Sequence, residues 1–281
     1  MNWNRREKNG VTFITFPIFE KAGLVHGFST KIGGVSTGDC ATMNLSFHRG
    51  DDPDAVLENH RRFAKAVGYD YRKLVFSDQI HETVVKRVTS VDAGKGIICD
   101  SDIKGVDGLI TNDEKVVLMT FFADCVPLFF YDPAKRAVGA SHSGWRGTVA
   151  RMGERTVKAM MREFGSRPDD ILAVVGPSIC QDCYEVSKDV ADAFYQEFDK
   201  KWWDEILYDK GANDRGEKKF QLNLWRANEI VLKEAGIPEQ NIQVSGLCTC
   251  CHKELLFSHR ATNGKRGNLA GVITLGKDVG V

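Results

Sequence analysis

Three side chains of the kinds that bind transition metals stand near the ends of strand-like segments: His81, Cys125 and His142. Two imidazoles and one thiolate suit zinc, and three protein ligands leave a fourth position for water or substrate. Cys125 and His142 are linked by a predicted strand register, whereas His81 is linked to them by residue type alone. The sequence therefore predicts a site that holds one zinc ion.

The register comes from a hairpin predicted around residues 132–135, Asp-Pro-Ala-Lys. Asp at the first position and Pro at the second fit a type I turn, and strand-like runs flank it. If Tyr131 faces Arg136, then Cys125 stands directly opposite His142. Directly opposed residues hold their Cβ atoms about 5 Å apart, so one metal ion could join the two side chains.

Other interpretations of Cys125 and His142 stay open on the residues alone. Pro127 cannot donate to a strand ladder, and a bulge there would shift the register by one residue. The two side chains could be ordinary buried residues of the core, or the nucleophile and base of a cysteine hydrolase. A copper oxidase would also use a His₂Cys set, but seven histidines are too few for several imidazole-rich copper centres. A metal-stabilised interaction protein is the alternative outside the enzymes.

The segment Gly-Trp-Arg-Gly at 144–147 is a candidate anion site. It joins a strand to a helix predicted to begin near Thr148, where backbone N–H groups are free. Glycine lets the backbone approach a ligand closely, and Arg146 supplies a positive charge. A tight turn with a surface arginine is the alternative. The sequence thus predicts that Gly144 and Arg146 bind phosphate.

A polar loop at 44–51, Asn-Leu-Ser-Phe-His-Arg-Gly-Asp, could furnish a second anion contact. Its candidate substrate- or phosphate-binding residues are Asn44, His48 and Arg49. Equally, the loop could only support the site, and Asp51 could only start the helix that follows it.

Five further cysteines lie in two segments, Cys180 and Cys183 in one and Cys248, Cys250 and Cys251 in the other. A Cys-x-x-Cys facing a Cys-x-Cys could build a structural zinc site, but the second half has the wrong spacing for a ribbon or finger. No thioredoxin-like strand–helix context supports a redox role. Packed thiols near the site are therefore expected.

Composition excludes several classes of protein. Lysine plus arginine and aspartate plus glutamate both number 38, so no overall charge recruits nucleic acid or an anionic membrane. No apolar run approaches the roughly 20 residues that span a bilayer, and the N-terminus lacks the apolar core of a secretion signal. The sequence predicts a cytoplasmic protein with reduced thiols.

Strand patterns outnumber helix patterns along the chain. A helix is expected to begin at Pro53 with Asp52 as its cap and to stop at Gly68, and three more are expected at 148–164, 188–198 (capped by Ser187) and 224–235. The expected strands are 11–16, 24–29, 74–77, 83–89, 116–122, 126–131, 136–141, 171–176, 242–246 and 269–275. This order favours a mixed α+β layered sandwich, in one domain at 1–281, over a doubly wound parallel sheet.

An ordered series of motifs resembles laccase-domain proteins, a family once labelled multicopper polyphenol oxidases that includes bacterial purine nucleoside phosphorylases. The motifs are NLSFHRGDD, SDQIH, VDGLIT, ADCVPLFFYDP, ASHSGWRG, GPSICQDCYEV and ELLFSHR. The resemblance implies a four-layer α-β-β-α sandwich related to cysteine deamidase toxins, with zinc held by His81, Cys125 and His142. It also implies phosphorolysis of adenosine, inosine, guanosine and S-methyl-5'-thioadenosine, with adenosine deamination alongside.

Some positions depart from the family pattern. Glu82 and Cys180 stand where glycine is common, His259 replaces a common tyrosine, and the run Cys-Thr-Cys-Cys at 248–251 is unusually rich in cysteine. None of these changes removes a predicted metal ligand.

In phosphorolysis, phosphate is placed at the anomeric carbon while the purine leaves, through a transition state that resembles an oxocarbenium ion. Arg146 and the backbone at 144–148 are the candidate cradle. Zinc nucleobase deaminases use a His-x-Glu arrangement, which His142 does not begin. Asp124, Glu82 and Glu185 are the candidates for a proton carrier.

Overall fold

The computed structural model describes residues 2–276 of the chain, which contain fifteen β-strands and eight α-helices. The strands are β1 (Asn4–Lys8), β2 (Val11–Thr15), β3 (Val25–Ser29), β4 (Leu74–Phe76), β5 (Val85–Arg87), β6 (Gly108–Thr111), β7 (Val117–Phe122), β8 (Val126–Asp132), β9 (Ala137–Ser143), β10 (Leu172–Val175), β11 (Glu185–Ser187), β12 (Leu207–Ala212), β13 (Lys218–Leu222), β14 (Ile242–Val244) and β15 (Leu269–Thr274). The helices are α1 (Pro17–Lys21), α2 (Pro53–Val67), α3 (Trp145–Val149), α4 (Met152–Phe164), α5 (Lys188–Glu197), α6 (Trp203–Ile206), α7 (Leu224–Glu234) and α8 (His259–Thr262).

Two six-stranded sheets form the centre of the fold. The first has the strand order β1-β2-β3-β15-β7-β4, and the second has the order β14-β10-β8-β9-β6-β5. Most neighbours are antiparallel, but β4 runs parallel to β7, β5 to β6 and β14 to β10. A three-stranded sheet, β11-β13-β12, stands apart from both, and no motif of the sequence predicted it.

The buried side chains define four layers. One core lies between the two sheets and includes Phe28 and Leu118 of the first sheet and Phe129 of the second. A second core joins α2 to the outer face of the first sheet, and a third joins α4 and α7 to the outer face of the second. The order is helix, sheet, sheet, helix, so the predicted mixed α+β sandwich is confirmed.

Close approach between the sheets depends on a glycine in β15. A Cβ atom at Gly271 would overlap the ring of Phe129, which rises from β8 in the facing sheet. Gly271 therefore sets how closely the two sheets can pack at this point.

Helix α2 forms where its end signals predict. Asp52 accepts a hydrogen bond from the Asp54 amide at 3.0 Å, Pro53 is the first helical residue, and Gly68 ends the helix in the left-handed region at φ 99°. In α5, by contrast, Ser187 occupies the cap position without making the expected capping bond.

The helix predicted at 148–164 begins earlier and is interrupted. Helix α3 starts at Trp145, and α4 starts anew after Arg151, which has φ 60°. The Arg151 guanidinium contacts Glu154, Glu197 and Glu234 at 2.5, 3.3 and 2.7 Å. These carboxylates stabilise a backbone conformation that arginine rarely adopts, and the helical periodicity of the segment does not reveal it.

The predicted register of the β8–β9 hairpin is wrong by two residues. Asp132 pairs with Ala137, and His142 pairs with Pro127 rather than with Cys125, without a register shift at Pro127. The Asp132 carboxylate accepts hydrogen bonds from the amides of Ala134 and Lys135, and Arg136 ends the loop at φ 47°. The loop therefore holds four residues, 133–136, whereas the predicted type I turn has two residues between its paired positions. Because side chains alternate with period two, Cys125 still lies on the face of His142.

Candidate metal centre and active site

His81, Cys125 and His142 come together where strands of the two central sheets end. His81 lies in the loop after β4, Cys125 in the turn between β7 and β8, and His142 in β9. Their ligand atoms all lie within 4.8 Å of one another, and Cys125 Sγ is 4.0 Å from His81 Nε2. These three side chains, called the His–Cys–His cluster below, form a possible metal-binding group.

A buried carboxylate, Asp107, positions two members of the cluster. His142 Nδ1–H donates to Asp107 Oδ1 at 2.8 Å, which leaves His142 Nε2 free to bind a metal. The backbone amides of Ile80, His81 and Glu82 donate to the same carboxylate at 3.1, 3.1 and 2.9 Å. Asp107 therefore fixes both the orientation of His142 and the loop that carries His81 at φ 66°.

The electrostatics of the cluster favour the charged forms of Cys125 and His142. Burial alone would raise the pKa of the Cys125 thiol, but the charge and hydrogen bonds of His142 and His81 lower this pKa to about 6. Burial alone would lower the pKa of His142, but Cys125 and Asp107 raise this pKa to about 9. Both shifts favour a Cys125 thiolate paired with a His142 imidazolium in the metal-free cluster.

Gly144 brings the backbone directly against the cluster. A Cβ atom at this position would lie 3.1 Å from Cys125 Sγ and 3.2 Å from His81 Cδ2. At Gly147 the nearest atom to a Cβ, His142 O, would be at an ordinary 3.6 Å. Close approach of the backbone, expected from the sequence for both glycines, is therefore found at Gly144.

Asp124, a candidate proton carrier, is occupied by structural contacts. Thr249 Oγ1 donates to one carboxylate oxygen at 2.6 Å, and the Arg260 amide donates to the other at 2.7 Å. Glu185 binds Lys210 at 2.7 Å on the surface. Glu82 is exposed beside His81 and therefore has the freest carboxylate of the three candidates.

The cluster lines a cavity of about 720 Å³, a volume within the range of small-molecule sites. Four phenylalanines share its wall: Phe47, Phe76, Phe121 and Phe122. The rings of Phe76 and Phe121 meet edge to face at 4.9 Å. The cavity thus combines an apolar wall for a flat ring with the polar cluster.

Two arginines line the same cavity, Arg49 and Arg266. Arg49 is anchored through hydrogen bonds to the carbonyls of Gly264 and Arg266 at 2.9 and 3.3 Å. Burial and then the charge of Arg49 lower the pKa of Arg266 to about 10. An anion bound beside this pair would offset the repulsion between the two guanidinium groups. The sequence did not indicate Arg266, because no motif surrounds it.

The other residues predicted to bind an anion differ in whether they line the cavity. His48 is exposed and lines the cavity, whereas Asn44 is fully buried and bonds Asp51, Ser46 and Asn268 within its own region. Arg146 is exposed and is not among the cavity-lining residues; its guanidinium carbon lies 4.3 Å from the centroid of a Trp145 ring.

No helix among residues 2–276 is long and apolar enough to cross a membrane.

Comparison with known proteins agrees with the fold. The purine nucleoside phosphorylase YlmD of Bacillus subtilis is 39% identical over 251 residues, which cover 89% of this chain and 88% of that protein. A purine nucleoside phosphorylase of Deinococcus radiodurans is 36% identical over 250 residues, with 89% and 88% coverage. The crystal structure of YlmD from Geobacillus stearothermophilus matches with a TM-score of 0.87 at 34% identity, covering 97% of this chain and 98% of that one. A family model described as multi-copper polyphenol oxidoreductase laccase matches residues 25–276, and this chain therefore belongs to that family.

Proposed function

We propose that this protein is a cytoplasmic purine nucleoside phosphorylase that transfers the ribosyl group of a nucleoside from the purine to inorganic phosphate. The observation that carries the proposal is the His–Cys–His cluster, which lines a cavity of nucleoside size in a chain whose relatives are named purine nucleoside phosphorylases. Its substrates are adenosine, inosine, guanosine and S-methyl-5'-thioadenosine.

The donor set of the cluster fits zinc. His142 keeps Nε2 free because Nδ1–H is committed to Asp107, His81 offers a second imidazole, and Cys125 offers one thiolate. When bound, zinc would supply a Lewis acid with one open position for an oxygen of substrate or water. Copper fits less well, because the two groups that could hold a metal among residues 2–276 contain only two histidines.

The protein side chains position the reactants. The Phe76 and Phe121 rings provide an apolar wall against which a purine can stack. Asp107 holds His142 in one tautomer, so the cluster presents fixed donors toward the ribose or phosphate. Burial of the sugar in the cavity would exclude water, which otherwise competes with phosphate for the anomeric carbon.

Phosphate has two candidate cradles. The first is Arg146 with the backbone that begins α3, next to Gly144 and the cluster. The second is the pair Arg49 and Arg266 inside the cavity. The repulsion between the two half-buried arginines favours the second cradle, and substitution of one arginine at a time separates the two.

Adenosine deamination belongs to the same site. Attack of water at the purine C6 requires a proton carrier, and Glu82 has the freest carboxylate beside the cluster. We assign it that role because Asp124 and Glu185 are engaged elsewhere.

One observation favours a second function, that of a cysteine hydrolase. Cys125, His142 and Asp107 follow one another in contact, in the order of nucleophile, base and orienting carboxylate. The hydrolase requires a covalent bond between Cys125 and the substrate, whereas the phosphorylase keeps this sulfur on the metal.

The deciding experiment incubates pure protein with inosine or adenosine, with and without phosphate. Chromatography should show free base and ribose 1-phosphate only when phosphate is present, and inosine as a second product from adenosine. Mass spectrometry of quenched turnovers should find no adduct on Cys125. An adduct on Cys125, or full activity after complete removal of zinc, would establish the hydrolase instead.

A further inference from the structure

Four cysteines from two segments that are distant in the sequence meet in a second cluster. Cys180 and Cys183 follow β10, and Cys248 and Cys251 follow β14. Their Sγ atoms all lie within 4.8 Å of one another, and Cys251 Sγ is 3.5 Å from Cys183 Sγ and 3.9 Å from Cys180 Sγ. These residues are called the four-cysteine cluster below.

The sulfur separations fit one metal ion better than disulfides. A disulfide requires about 2.05 Å between sulfurs, much less than the observed distances. Four thiolates at about 2.3 Å from a tetrahedral zinc ion lie about 3.8 Å apart, close to the separations of Cys251 from its neighbours. An iron–sulfur cluster would place inorganic sulfide between the cysteines and hold them farther apart.

The backbone around the cluster is arranged to support thiolates. The amides of Cys180 and Cys251 donate to Cys248 Sγ at 3.3 and 3.4 Å. Hydrogen bonds to a charged acceptor are stronger than those to a neutral one, so they favour the deprotonated sulfur that a metal requires. The two segments are also joined directly, because the Ser178 amide donates to Leu247 O and the Thr249 amide donates to Ser178 O, both at 3.2 Å.

The spacing of the cysteines supports the same conclusion. The structure groups Cys180-x-x-Cys183 with Cys248-x-x-Cys251, whereas Cys250 lies beside Cys183 outside this group of four and packs against the apolar core. Two Cys-x-x-Cys units are the ligand pattern of four-cysteine zinc sites. The expectation of packed thiols rested on the Cys248–Cys250 spacing, which is not the spacing that the fold uses.

We propose that Cys180, Cys183, Cys248 and Cys251 bind one structural zinc ion, separate from the His–Cys–His cluster. Binding releases the thiol protons and closes the coordination shell, which leaves no open position for substrate. The ion would hold together the two segments that position Asp124, since Ile179 N donates to Asp124 O at 3.0 Å and Thr249 Oγ1 to its carboxylate at 2.6 Å.

The test uses the full chain in a His81→Ala/His142→Ala background, which removes two ligands of the other cluster. We expect one zinc ion per chain in this background and two in the wild type. X-ray absorption of the background protein should show four sulfur neighbours at about 2.3 Å. Cobalt substitution should give the visible bands of a tetrahedral thiolate site.

Two further sets of substitutions compare ligand cysteines with a neighbouring cysteine. Adding Cys183→Ser/Cys251→Ser to the background should abolish zinc binding and the cobalt bands, whereas adding Cys250→Ser should leave both unchanged. Because the double variant could fail to fold, the absorption spectrum of the background protein decides independently. Absence of zinc from reduced background protein, nitrogen or oxygen neighbours in its spectrum, or zinc retained by the double variant would overturn the proposal.

Discussion

At the scale of single residues, one carboxylate controls the geometry of the His–Cys–His cluster. Asp107 is fully buried, and its oxygens bind one ligand through the imidazole and another through the loop backbone. Such orienting partners typically contribute 10- to 100-fold to metal affinity or activity. The contribution of Asp107 can therefore be measured separately from that of the ligands.

We expect Asp107→Asn to lower zinc affinity at the His–Cys–His cluster by about 10- to 100-fold, because the amide cannot accept every hydrogen bond that the carboxylate accepts. Competition with a chelator measures the affinity. Asp132→Asn is the matched control, since Asp132 is equally buried but binds only the loop of the β8–β9 hairpin. Equal losses of affinity in the two variants would contradict the role of Asp107.

Reactivity of Cys125 should reveal its low pKa. Thiolate is the reactive form, so alkylation of the metal-free protein should rise with pH and reach half its maximum near pH 6, because the pKa of this thiol is lowered to about 6. Peptide mapping after iodoacetamide treatment isolates Cys125 from the other cysteines, and denatured protein supplies the reference. The same alkylation midpoint in folded and denatured protein would contradict the thiolate–imidazolium pair. Bound zinc should protect the Cys125 sulfur from alkylation.

The two candidate phosphate cradles make opposite predictions. If the pair Arg49 and Arg266 holds phosphate, Arg49→Ala should raise the KM for phosphate by more than tenfold, since a charged contact inside a cavity is lost. Arg146→Ala should then change the KM for phosphate little. The thermal midpoint of this variant should stay near that of the wild type, because Arg146 is exposed. The reverse result would place phosphate at the start of α3.

Residue types alone indicated the His–Cys–His cluster, because imidazole and thiolate side chains at strand ends have few common uses. They did not indicate Asp107, whose sequence context, Val-Asp-Gly, is that of an ordinary turn. Its role depends on the pairing of β6 with β9, which places Gly108 opposite Ser141 and so brings Asp107 to His142. Partners of this kind follow from tertiary structure and not from local pattern.

At the scale of elements, the connection from β9 to α3 is built against the cluster. Gly144→Ala would push a Cβ toward Cys125 Sγ and His81, and we expect zinc affinity and activity to fall at least tenfold. Gly147→Ala is the control, because its Cβ would make only ordinary contacts. Chelator competition and turnover of both proteins measure the difference, and unchanged affinity in Gly144→Ala would show that the loop can move away.

Element ends were predictable where side-chain chemistry marks them, as Asp52 and Gly68 mark α2. The β8–β9 hairpin shows the limit. Asp-Pro at 132–133 indicated the turn correctly, but the left-handed Arg136 lengthened the loop, and arginine gives no sequence signal for that conformation. The prediction still placed Cys125 and His142 on one face, because an error of two residues preserves strand alternation.

At the scale of the whole molecule, the alternation of strands and helices indicated a layered α+β fold, and the motif series indicated its four layers. The composition could not indicate which distant segments of the chain meet. Segments more than 60 residues apart meet at the four-cysteine cluster, as the 68-residue separation of Cys183 and Cys251 shows. Contacts between segments so distant in the chain follow from the assembled topology alone.

The stacking of the sheets has a mechanical consequence for the metal. Cys125 lies in the turn that joins β7 of the first sheet to β8 of the second, and His142 lies in β9 of the second sheet, so a change in the distance between the sheets would change the spacing of these two ligands. Gly271→Ala would press on Phe129 of the facing sheet and increase the distance between the sheets. We therefore expect it to weaken zinc binding, whereas Gly153→Ala, which crowds Leu232 in the helical layer, should cost stability alone. Calorimetry measures the stability of both variants, and zinc titration measures their zinc affinity. Equal zinc affinities in the two variants would show that metal binding does not depend on the distance between the sheets.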